Sequence, residues 1–463
     1  MHTLEQLRAG QLNGISRLDL CASLEQFPEE IFSLVDSLEV LNLSGNRLSD
    51  LPDDLHRLHR LQVLFCSDNL FEHVPQSLGR CPSLRMVGFK SNRIRELSGE
   101  ALPPRLRWLI LTDNCLESLP EALGDCRELQ KLMLAGNRLR SLPESLARLD
   151  NLELLRIAAN QLPELPACLL QLPNLAWLAY AGNPFSNAEG AACQAVDVPW
   201  AQLQVEEVLG QGASGIIRRA HWQRPNGTRE AVALKLFKGQ ITSDGTPQSE
   251  MRASLLAGQH PHLIGALGRL VYHPEGEQGL LLSLVDPRFS VLAGPPSLES
   301  CSRDCYPPHW RIEFARALRV LAGIASAMCH LHGQGVSHGD LYGHNILLDE
   351  HGDVLLGDFG AASLLPTDAP NQQAALQRIE VRAFGILLAE LLSRCDVPAQ
   401  HEAALTQLQQ RCLQAEVLAR ADFQEVAATL GALLADEGTR EVVGGQLSNP
   451  LERPLEEPVE AAL

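Results

Sequence analysis

The chain predicts an α/β solenoid of parallel strands, followed by a second domain that opens with a glycine-rich hairpin. The prediction depends on three observations: an asparagine that recurs every 22 or 23 residues, leucines at fixed positions before it, and a cluster of glycines after the repeat has ended. A period of this length indicates stacked units that bury one common core. We therefore expect a binding surface in the first part of the chain and chemistry in the second.

The recurring asparagines mark the repeat units. They are Asn46, Asn69, Asn92, Asn114, Asn137, Asn160 and Asn183. The pattern before each is LxxLxLxxN, and alternate residues of a short strand face opposite sides, so Leu41 and Leu43 are predicted to be core. The asparagine side chain is suited to bond backbone groups at the bend after the strand. This pattern resembles the leucine-rich-repeat family.

The outward strand positions predict a concave docking surface. Large apolar side chains on an exposed sheet indicate a site for a protein, and the most prominent are Met86, Trp108, Met133 and Trp177. We expect a separate protein partner there. Docking of the chain's own second domain, or of a second copy, is the alternative.

Breaks in pattern and composition divide the chain. We place the repeat domain at residues 1–196, with an N-terminal cap, and the second domain at 197–435. Residues 436–463 are rich in proline and acidic residues and predict a disordered acidic tail. The segment 288–306 is predicted to be a loop.

Charge and cysteine usage limit the class of protein. A net charge of −18 argues against nucleic acid or an anionic membrane as the main partner. We expect no leader peptide and no run long enough to span a bilayer. Several of the twelve cysteines occupy apolar positions, such as Cys66, so we expect free thiols and a cytoplasmic location.

The glycine cluster opens the second domain. Gly210, Gly212 and Gly215 fit GxGxxG, which alone is weak evidence because nucleotide-binding βαβ folds use it too. Here the chain continues as strand, turns at Pro225–Gly227 and returns as a second strand to Phe237. This order predicts a glycine hairpin whose backbone amides can lie over phosphates.

Three further motifs follow in order: Val-Ala-Leu-Lys235, HGDLYGHNILLD from His338, and Asp358-Phe359-Gly360. Together they resemble the eukaryotic-type protein kinase family over residues 203–432, which implies a two-lobed α+β domain. The resemblance implies that Asp340 is the catalytic aspartate, and that Lys235 contacts phosphates and pairs with Glu250. Asn345 and Asp358 are implied to be Mg²⁺ ligands.

The same resemblance implies ATP and Mg²⁺ as cofactors and transfer of the γ-phosphoryl group to a protein hydroxyl, more in keeping with serine or threonine than with tyrosine. The implied nucleotide contacts are Gly210, Gly212, Gly215, Ile217, Ala233, Lys235, Glu250, Ser283 and Val285. Ser283 and Val285 would meet adenine through their backbone groups.

The catalytic segment departs from the family at several positions. Gly339 replaces the usual arginine, which implies that no phosphorylated activation loop is read. Tyr342 and His344 stand where kinases carry a lysine or an arginine, and His344 is a weak candidate to replace that cation. No Ala-Pro-Glu occurs between Asp358 and Glu380, the expected start of the central helix, so the peptide shelf is in doubt.

These departures leave two alternatives open. The chain is either a nucleotide-binding scaffold or weakly active pseudokinase, or a small-molecule kinase of the aminoglycoside type, which shares HGDxxxxN. The order of domains and the shortened large lobe resemble bacterial intracellular repeat kinases.

Overall fold

The computed structural model describes residues 2–186, 196–212, 214–239, 241–242 and 244–444. The predicted class is confirmed, since a parallel-strand solenoid precedes a two-lobed α+β domain. The expected boundary between the domains at residue 196 adjoins the stretch 187–195, which lies outside the described residues.

The solenoid is one parallel eight-stranded sheet in chain order. A helix, α1 (Leu4–Arg8), precedes its strands. The strands are β1 (Arg17–Asp19), β2 (Val40–Asn42), β3 (Val63–Phe65), β4 (Met86–Gly88), β5 (Trp108–Ile110), β6 (Lys131–Met133), β7 (Leu154–Arg156) and β8 (Trp177–Ala179). Short 3-10 turns form the convex side at Glu29–Leu34, Leu55–Arg57, Gln76–Arg80, Gly99–Ala101, Glu121–Asp125, Glu144–Arg148 and Ala167–Gln171.

The repeat asparagines hold neighbouring units together. Asn137 is buried, its Oδ1 accepts from the Leu116 amide at 3.0 Å, and its Nδ2 donates to the carbonyls of Leu111 at 2.8 Å and Leu134 at 3.0 Å. Leu41 and Leu43 are fully buried, as predicted. Each asparagine thus satisfies backbone groups that the bend after the strand would leave unpaired.

The small lobe of the second domain is a six-stranded sheet with one helix. Its strand order is β10-β11-β12-β14-β13-β9. The elements are β9 (Asp197–Pro199), β10 (Leu203–Gln211), β11 (Gly215–Gln223), β12 (Arg229–Phe237), α2 (Pro247–Ala257), β13 (Ala266–Val271) and β14 (Gly279–Ser283). The expected glycine hairpin is β10–β11, and β12 is the predicted return strand.

The large lobe is helical, with short strands near the cleft. Its elements are β15 (Ser290–Val291), α3 (Phe314–Gly333), β16 (Val336–Ser337), β17 (Ile346–Leu348), β18 (Val354–Leu356), β19 (Ser363–Leu364), α4 (Pro370–Leu392), α5 (Ala399–Cys412) and α6 (Phe423–Gly444). Strands β15, β17 and β18 form one small sheet, and β16 pairs with β19.

Two predicted boundaries are wrong. The central helix α4 begins at Pro370, whose fixed φ suits a first helical turn, and not at Glu380. The tail was expected to begin at residue 436, but α6 continues to Gly444, and the Glu437 carboxylate lies 2.7 Å from His401 Nε2. The remainder of the predicted tail, 445–463, lies outside the described residues.

Helix α3 is long and apolar enough to cross a membrane, alone among the helices in the described part of the chain. The expectation that no run reaches this length is therefore wrong for α3. Its apolar residues, including Leu321, Ile324 and Met328, are fully buried among the other elements of the large lobe. The helix thus serves as the core helix of that lobe.

The second domain of the same chain covers part of the concave face of the solenoid, as the alternative foresaw. The segment 288–306 enters the concavity, where its Cys301 packs against Met86 and Trp108. Trp177 is 1% exposed and Met133 packs against the core of the large lobe. The four residues assigned to an external protein are therefore occupied by internal contacts.

Glu390 on α4 is a buried carboxyl group with a hydrogen bond from the Tyr306 hydroxyl at 3.1 Å. Burial raises its pKa from 4.5 to about 7, with the nearby Asp304 adding to the effect. The pKa in the folded state thus exceeds that in the unfolded chain. Below about pH 4.5 the Glu390 carboxyl group is protonated in both states and does not lower the free energy of unfolding. Above that pH its ionisation lowers the free energy of unfolding progressively, until the pH passes about 7.

We predict that Glu390→Gln stabilises the protein at pH 8 and leaves its stability unchanged near pH 4.5. The pKa difference corresponds to at most about 3 kcal/mol, and partial exposure of the group makes about 1–2 kcal/mol the expected gain. Urea unfolding of both proteins across this pH range measures it. The exposed Glu402, changed to Gln, is the control. A gain independent of pH would contradict the assignment.

Candidate active site

A cleft of about 540 Å³ separates the two lobes. Apolar side chains of both lobes line most of it, among them Ile217, Ala233, Leu282 and Leu347. Charged groups line one end, where Lys235, Glu250 and Asp358 meet. An apolar slot with convergent charges at one end suits a ligand that has a flat ring at one end and anionic groups at the other.

The glycines of the hairpin differ in what surrounds them. A Cβ placed on Gly210 or Gly212 would meet no atom within 4 Å, whereas one on Gly215 would lie 2.4 Å from the Leu236 carbonyl oxygen. Gly215 is therefore required for packing of β11 against β12. The open space at Gly210 and Gly212 leaves room for close approach of a ligand, although the Gly212 amide already donates to the Gly215 carbonyl at 2.9 Å.

Lys235 and Glu250 form an ion pair inside the cleft. Lys235 lies on β12 and is 7% exposed, and Glu250, in the first turn of α2, is 4% exposed. Burial raises the pKa of Glu250, although Lys235 opposes this effect. The pair fixes α2 against the sheet and presents the ammonium group at the charged end of the cleft.

The connection after β14 forms the far wall of the cleft, where Ser283 and Val285 both lie. The Ser283 amide donates to the Gly265 carbonyl at 2.9 Å, so only the Ser283 carbonyl remains for a ligand. The expected adenine contact through Ser283 is thus restricted to one acceptor.

Asp340, Asn345 and His338 form one hydrogen-bonded loop. The Asn345 Nδ2 donates to the Asp340 carbonyl at 2.9 Å and to its Oδ2 at 2.8 Å. His338 is buried and its Nε2 lies 2.9 Å from the Gly357 carbonyl. The loop therefore joins Asp340 directly to the segment that carries Asp358.

Asp358 stands at a left-handed backbone position, with φ of 53°. The following Phe359 is 5% exposed and lies 5.3 Å from the ring of His338. Burial of the Phe359 ring places the preceding carboxyl group at the cleft. Because Asn345 uses its amide nitrogen on Asp340, its Oδ1 is left as an oxygen ligand beside a carboxylate, which suits a hard divalent cation.

Glu380, on α4, anchors this loop. It is 2% exposed, its Oε1 accepts from the Gly339 amide at 2.7 Å, and its Oε2 lies 2.7 Å from His332 Nε2. The longer side chain thus reaches the backbone of the catalytic segment from the middle of α4.

Neither of the residues at the two cation positions of the loop supplies a free cation. His344 Nδ1 lies 2.6 Å from Asp304 Oδ1, a contact that, despite burial, raises its pKa. Tyr342 is 5% exposed and stacks on Trp177, with ring centroids 4.1 Å apart. The weak expectation that His344 replaces the missing cation is not supported by this geometry.

The cation next to Asp340 comes from the solenoid. Arg156, at the end of β7, forms an ion pair with Asp340 and donates to the Gly339 carbonyl at 2.9 Å. Its Nε lies 2.6 Å from Asp244 Oδ1. Burial would raise the pKa of Asp340, but the charge of Arg156, with His344 and His338, outweighs this and lowers it.

Arg156 and Asp244 were not among the residues predicted for the site. A signal was present, since Arg156 is the one cationic residue in its outward column. That column contains Asp19, Asn42, Phe65, Gly88, Ile110, Met133, Arg156 and Ala179. A lone arginine beside Trp177, on a face otherwise poor in charge, indicates an anionic contact.

Comparison with known proteins agrees with both domains. Residues 203–387 match the protein tyrosine and serine/threonine kinase family, and residues 36–94 and 82–139 match the leucine-rich repeat family. The fold and the cleft define a two-lobed kinase domain preceded by a solenoid. The first part of the chain is thus similar to leucine-rich-repeat proteins, and the second part is similar to the protein tyrosine and serine/threonine kinase family.

Three relatives are each similar to less than half of this chain. CBL-interacting protein kinase 22 of Oryza sativa subsp. japonica is 32% identical over 176 residues, 36% of this chain and 38% of that protein. A probable leucine-rich repeat receptor-like protein kinase of Arabidopsis thaliana is 26% identical over 207 residues, 40% of this chain and 28% of that protein. Ephrin type-A receptor 1 of Mus musculus is 26% identical over 234 residues, which are 46% of this chain and 22% of that protein. The chain thus spans less than two fifths of each of these relatives.

We predict opposite effects for two glycine substitutions in the hairpin. Gly215→Ala places a methyl group against the Leu236 carbonyl and should destabilise the protein by about 1–3 kcal/mol. Gly212→Ala has room to fold normally but intrudes on the ligand side, and should weaken ATP binding by roughly tenfold, or about 1.4 kcal/mol. Thermal unfolding and equilibrium binding of a fluorescent ATP analogue measure the two effects. Equal stability and equal affinity in both variants would contradict this division.

Proposed function

We propose that this protein transfers the γ-phosphoryl group of ATP, as its Mg²⁺ complex, to a hydroxyl group of a protein. One observation carries the proposal: Lys235, Glu250 and Asp358 line one cleft, and the loop of Asp340 and Asn345 adjoins it, because the Gly357 amide in the cleft wall donates to the Asn345 carbonyl at 3.0 Å. These are the groups that phosphoryl transfer needs. When bound, Mg²⁺–ATP supplies the phosphoryl group and the charge that neutralises the leaving group.

The residues of the small lobe hold the nucleotide. Lys235 offers positive charge to the phosphates, and Glu250 keeps its ammonium group in place through their ion pair. The backbone of Gly210 and Gly212 closes over the same region. Positioning of this kind removes much of the entropic barrier to transfer.

The residues of the large lobe serve the cation and the acceptor. Asp358 and the Oδ1 of Asn345 are the candidate ligands for Mg²⁺, which prefers oxygen ligands and commonly takes only one or two from the protein. Asp340 orients the acceptor hydroxyl and receives its proton. Its lowered pKa keeps the carboxyl group ionised and ready to accept that hydrogen bond.

One observation favours a second candidate, a kinase of small molecules. Helix α4 begins at Pro370, so only residues 361–369 separate it from Gly360. This segment is too short to form a broad peptide shelf, and the solenoid covers part of the region around Asp340. A small hydroxylated acceptor needs less room than a polypeptide. Assays with both acceptor classes separate the candidates.

A cytoplasmic location is also proposed, without a nucleic-acid or membrane partner. The eleven described cysteines are free thiols, among them the fully buried Cys66, and this supports a reducing compartment. The net charge of −18 supports the absence of a polyanionic partner. Recovery of the native protein with its cysteines oxidised in pairs would count against this location.

We predict that Asp340→Asn and Asp358→Ala each lower Mg²⁺-dependent phosphoryl transfer by at least about 100-fold, because one loses the proton acceptor and the other a cation ligand. Transfer from γ-labelled ATP to generic protein acceptors and to the chain itself measures this. Asp340→Asn should retain ATP binding.

Asp396→Asn is the matched control, since the Asp396 side chain is exposed on the large lobe. It should transfer at the wild-type rate. Wild-type protein that binds ATP but labels neither proteins nor small hydroxylated compounds would identify a nucleotide-binding scaffold and contradict the proposal.

A further inference from the structure

The catalytic segment of this chain, residues 338–349, contains no lysine or arginine. The two positions at which kinases carry one are held by Tyr342, buried under Trp177, and by His344, paired with Asp304. Phosphoryl transfer develops negative charge on the transferred group, and Asp340 brings another negative charge to the same place. An arrangement without a nearby cation would be electrostatically costly.

Arg156 meets this need from the solenoid. Its side chain is 2% exposed, and each of its three guanidinium nitrogens has a partner in the second domain: Asp244, the Gly339 carbonyl and Asp340. Although burial alone would lower its pKa, the two carboxylates raise it, so the side chain is charged at any physiological pH.

The close approach of the solenoid depends on Gly339. This residue has φ of +74°, and a Cβ there would lie 2.9 Å from the Leu178 carbonyl and 2.5 Å from the Ala361 carbonyl. A side chain at residue 339 would therefore clash with the docked solenoid. The family's arginine is thus absent at the position where β8 passes.

The same repeats contact other parts that kinases must order before they act. The Ser363 hydroxyl accepts from the amides of Tyr180 at 3.2 Å and Ala181 at 3.1 Å. The Trp177 Nε1 donates to the Leu341 carbonyl at 2.9 Å. Catalytic loop and activation segment are therefore both held by β8 and the residues that follow it.

We propose that Arg156 is a positioning residue of phosphoryl transfer, supplied by the repeat domain in place of the cation that the catalytic loop lacks. It keeps the Asp340 carboxylate oriented and balances its charge. The ion pair of Lys235 with Glu250 and the buried Phe359 show that the solenoid-bound arrangement is an ordered one, with the catalytic groups assembled. The solenoid completes the site without a phosphorylated activation segment. This inference rests on the function proposed above.

The test compares Arg156→Gln, Arg156→Lys and Arg303→Gln in the full chain. Arg303 crosses the same interface, where it meets Glu153 of the solenoid at 2.6 Å, so its substitution is a matched loss of an interdomain ion pair. Turnover of Mg²⁺–ATP, the KM for ATP, nucleotide affinity and thermal unfolding are measured for each protein.

We expect Arg156→Gln to lower kcat by about 100-fold, equivalent to about 2.7 kcal/mol, with nucleotide affinity changed by less than about threefold. Arg156→Lys should recover about a tenth of the wild-type rate, because the charge remains but the planar fork does not. Added ethylguanidinium should partly restore Arg156→Gln. Arg303→Gln should retain its kcat within about threefold.

Other outcomes overturn the inference in different ways. A higher kcat in Arg156→Gln would identify the solenoid as an inhibitor that covers Asp340. Equal losses in Arg156→Gln and Arg303→Gln would assign Arg156 to the interface alone. If Arg156→Gln does not fold, Arg156→Lys decides, because lysine keeps the charge but lacks the planar guanidinium group. A wild-type rate in Arg156→Lys would overturn the inference, and a tenfold lower rate would support it. If the wild type turns over no ATP, the proposed function fails and this inference fails with it.

Discussion

The arrangement of this protein depends on one buried charge cluster, the guanidinium of Arg156 between the carboxylates of Asp244 and Asp340. The three side chains come from the solenoid, the small lobe and the large lobe. Each charge loses hydration when the domains meet, and only the mutual pairing offsets that loss. Removing Arg156 would leave the two carboxylates close together without their shared counter-charge. This cluster therefore couples the positions of the solenoid, the small lobe and the large lobe.

The packing around the cluster follows from small residues and aromatic ones. Gly339 permits the strand end of β8 to reach the backbone of the large lobe, and Trp177 fills the space beside it by stacking on Tyr342. The segment 288–306 packs on the part of the same face that carries Met86 and Trp108. The surface that the sequence predicts to be a docking face for another protein thus packs against the second domain of the same chain.

Local patterns determine most of what could be predicted. The repeat period, the buried leucines, the asparagine ladder and the glycine hairpin each follow from neighbours in sequence, because the physics of a strand, bend or turn acts over a few residues. The kinase motifs likewise identified Lys235, Glu250 and Asp358, which line one cleft, and Asp340 and Asn345, which lie in the loop beside it. The start of α4 was harder, because no family motif marks a helix that begins ten residues early.

The interdomain contacts could not be predicted in the same way. Arg156 and Asp340 are 184 positions apart, and nothing in either local pattern specifies that they meet. Exposure of the concave face was inferred from strand alternation, which tells which side a residue faces but not what lies opposite. Whether a face is free is a property of the assembled chain.

The burial of Ser363 limits when this residue could be phosphorylated. Its hydroxyl is 1% exposed and engaged by two backbone amides of the solenoid. No modifying enzyme can reach it while the two domains are joined. A phosphate found on Ser363 would therefore be a record that the molecule had once come apart, or had been modified before it was fully folded, and would not be a signal received by the finished structure.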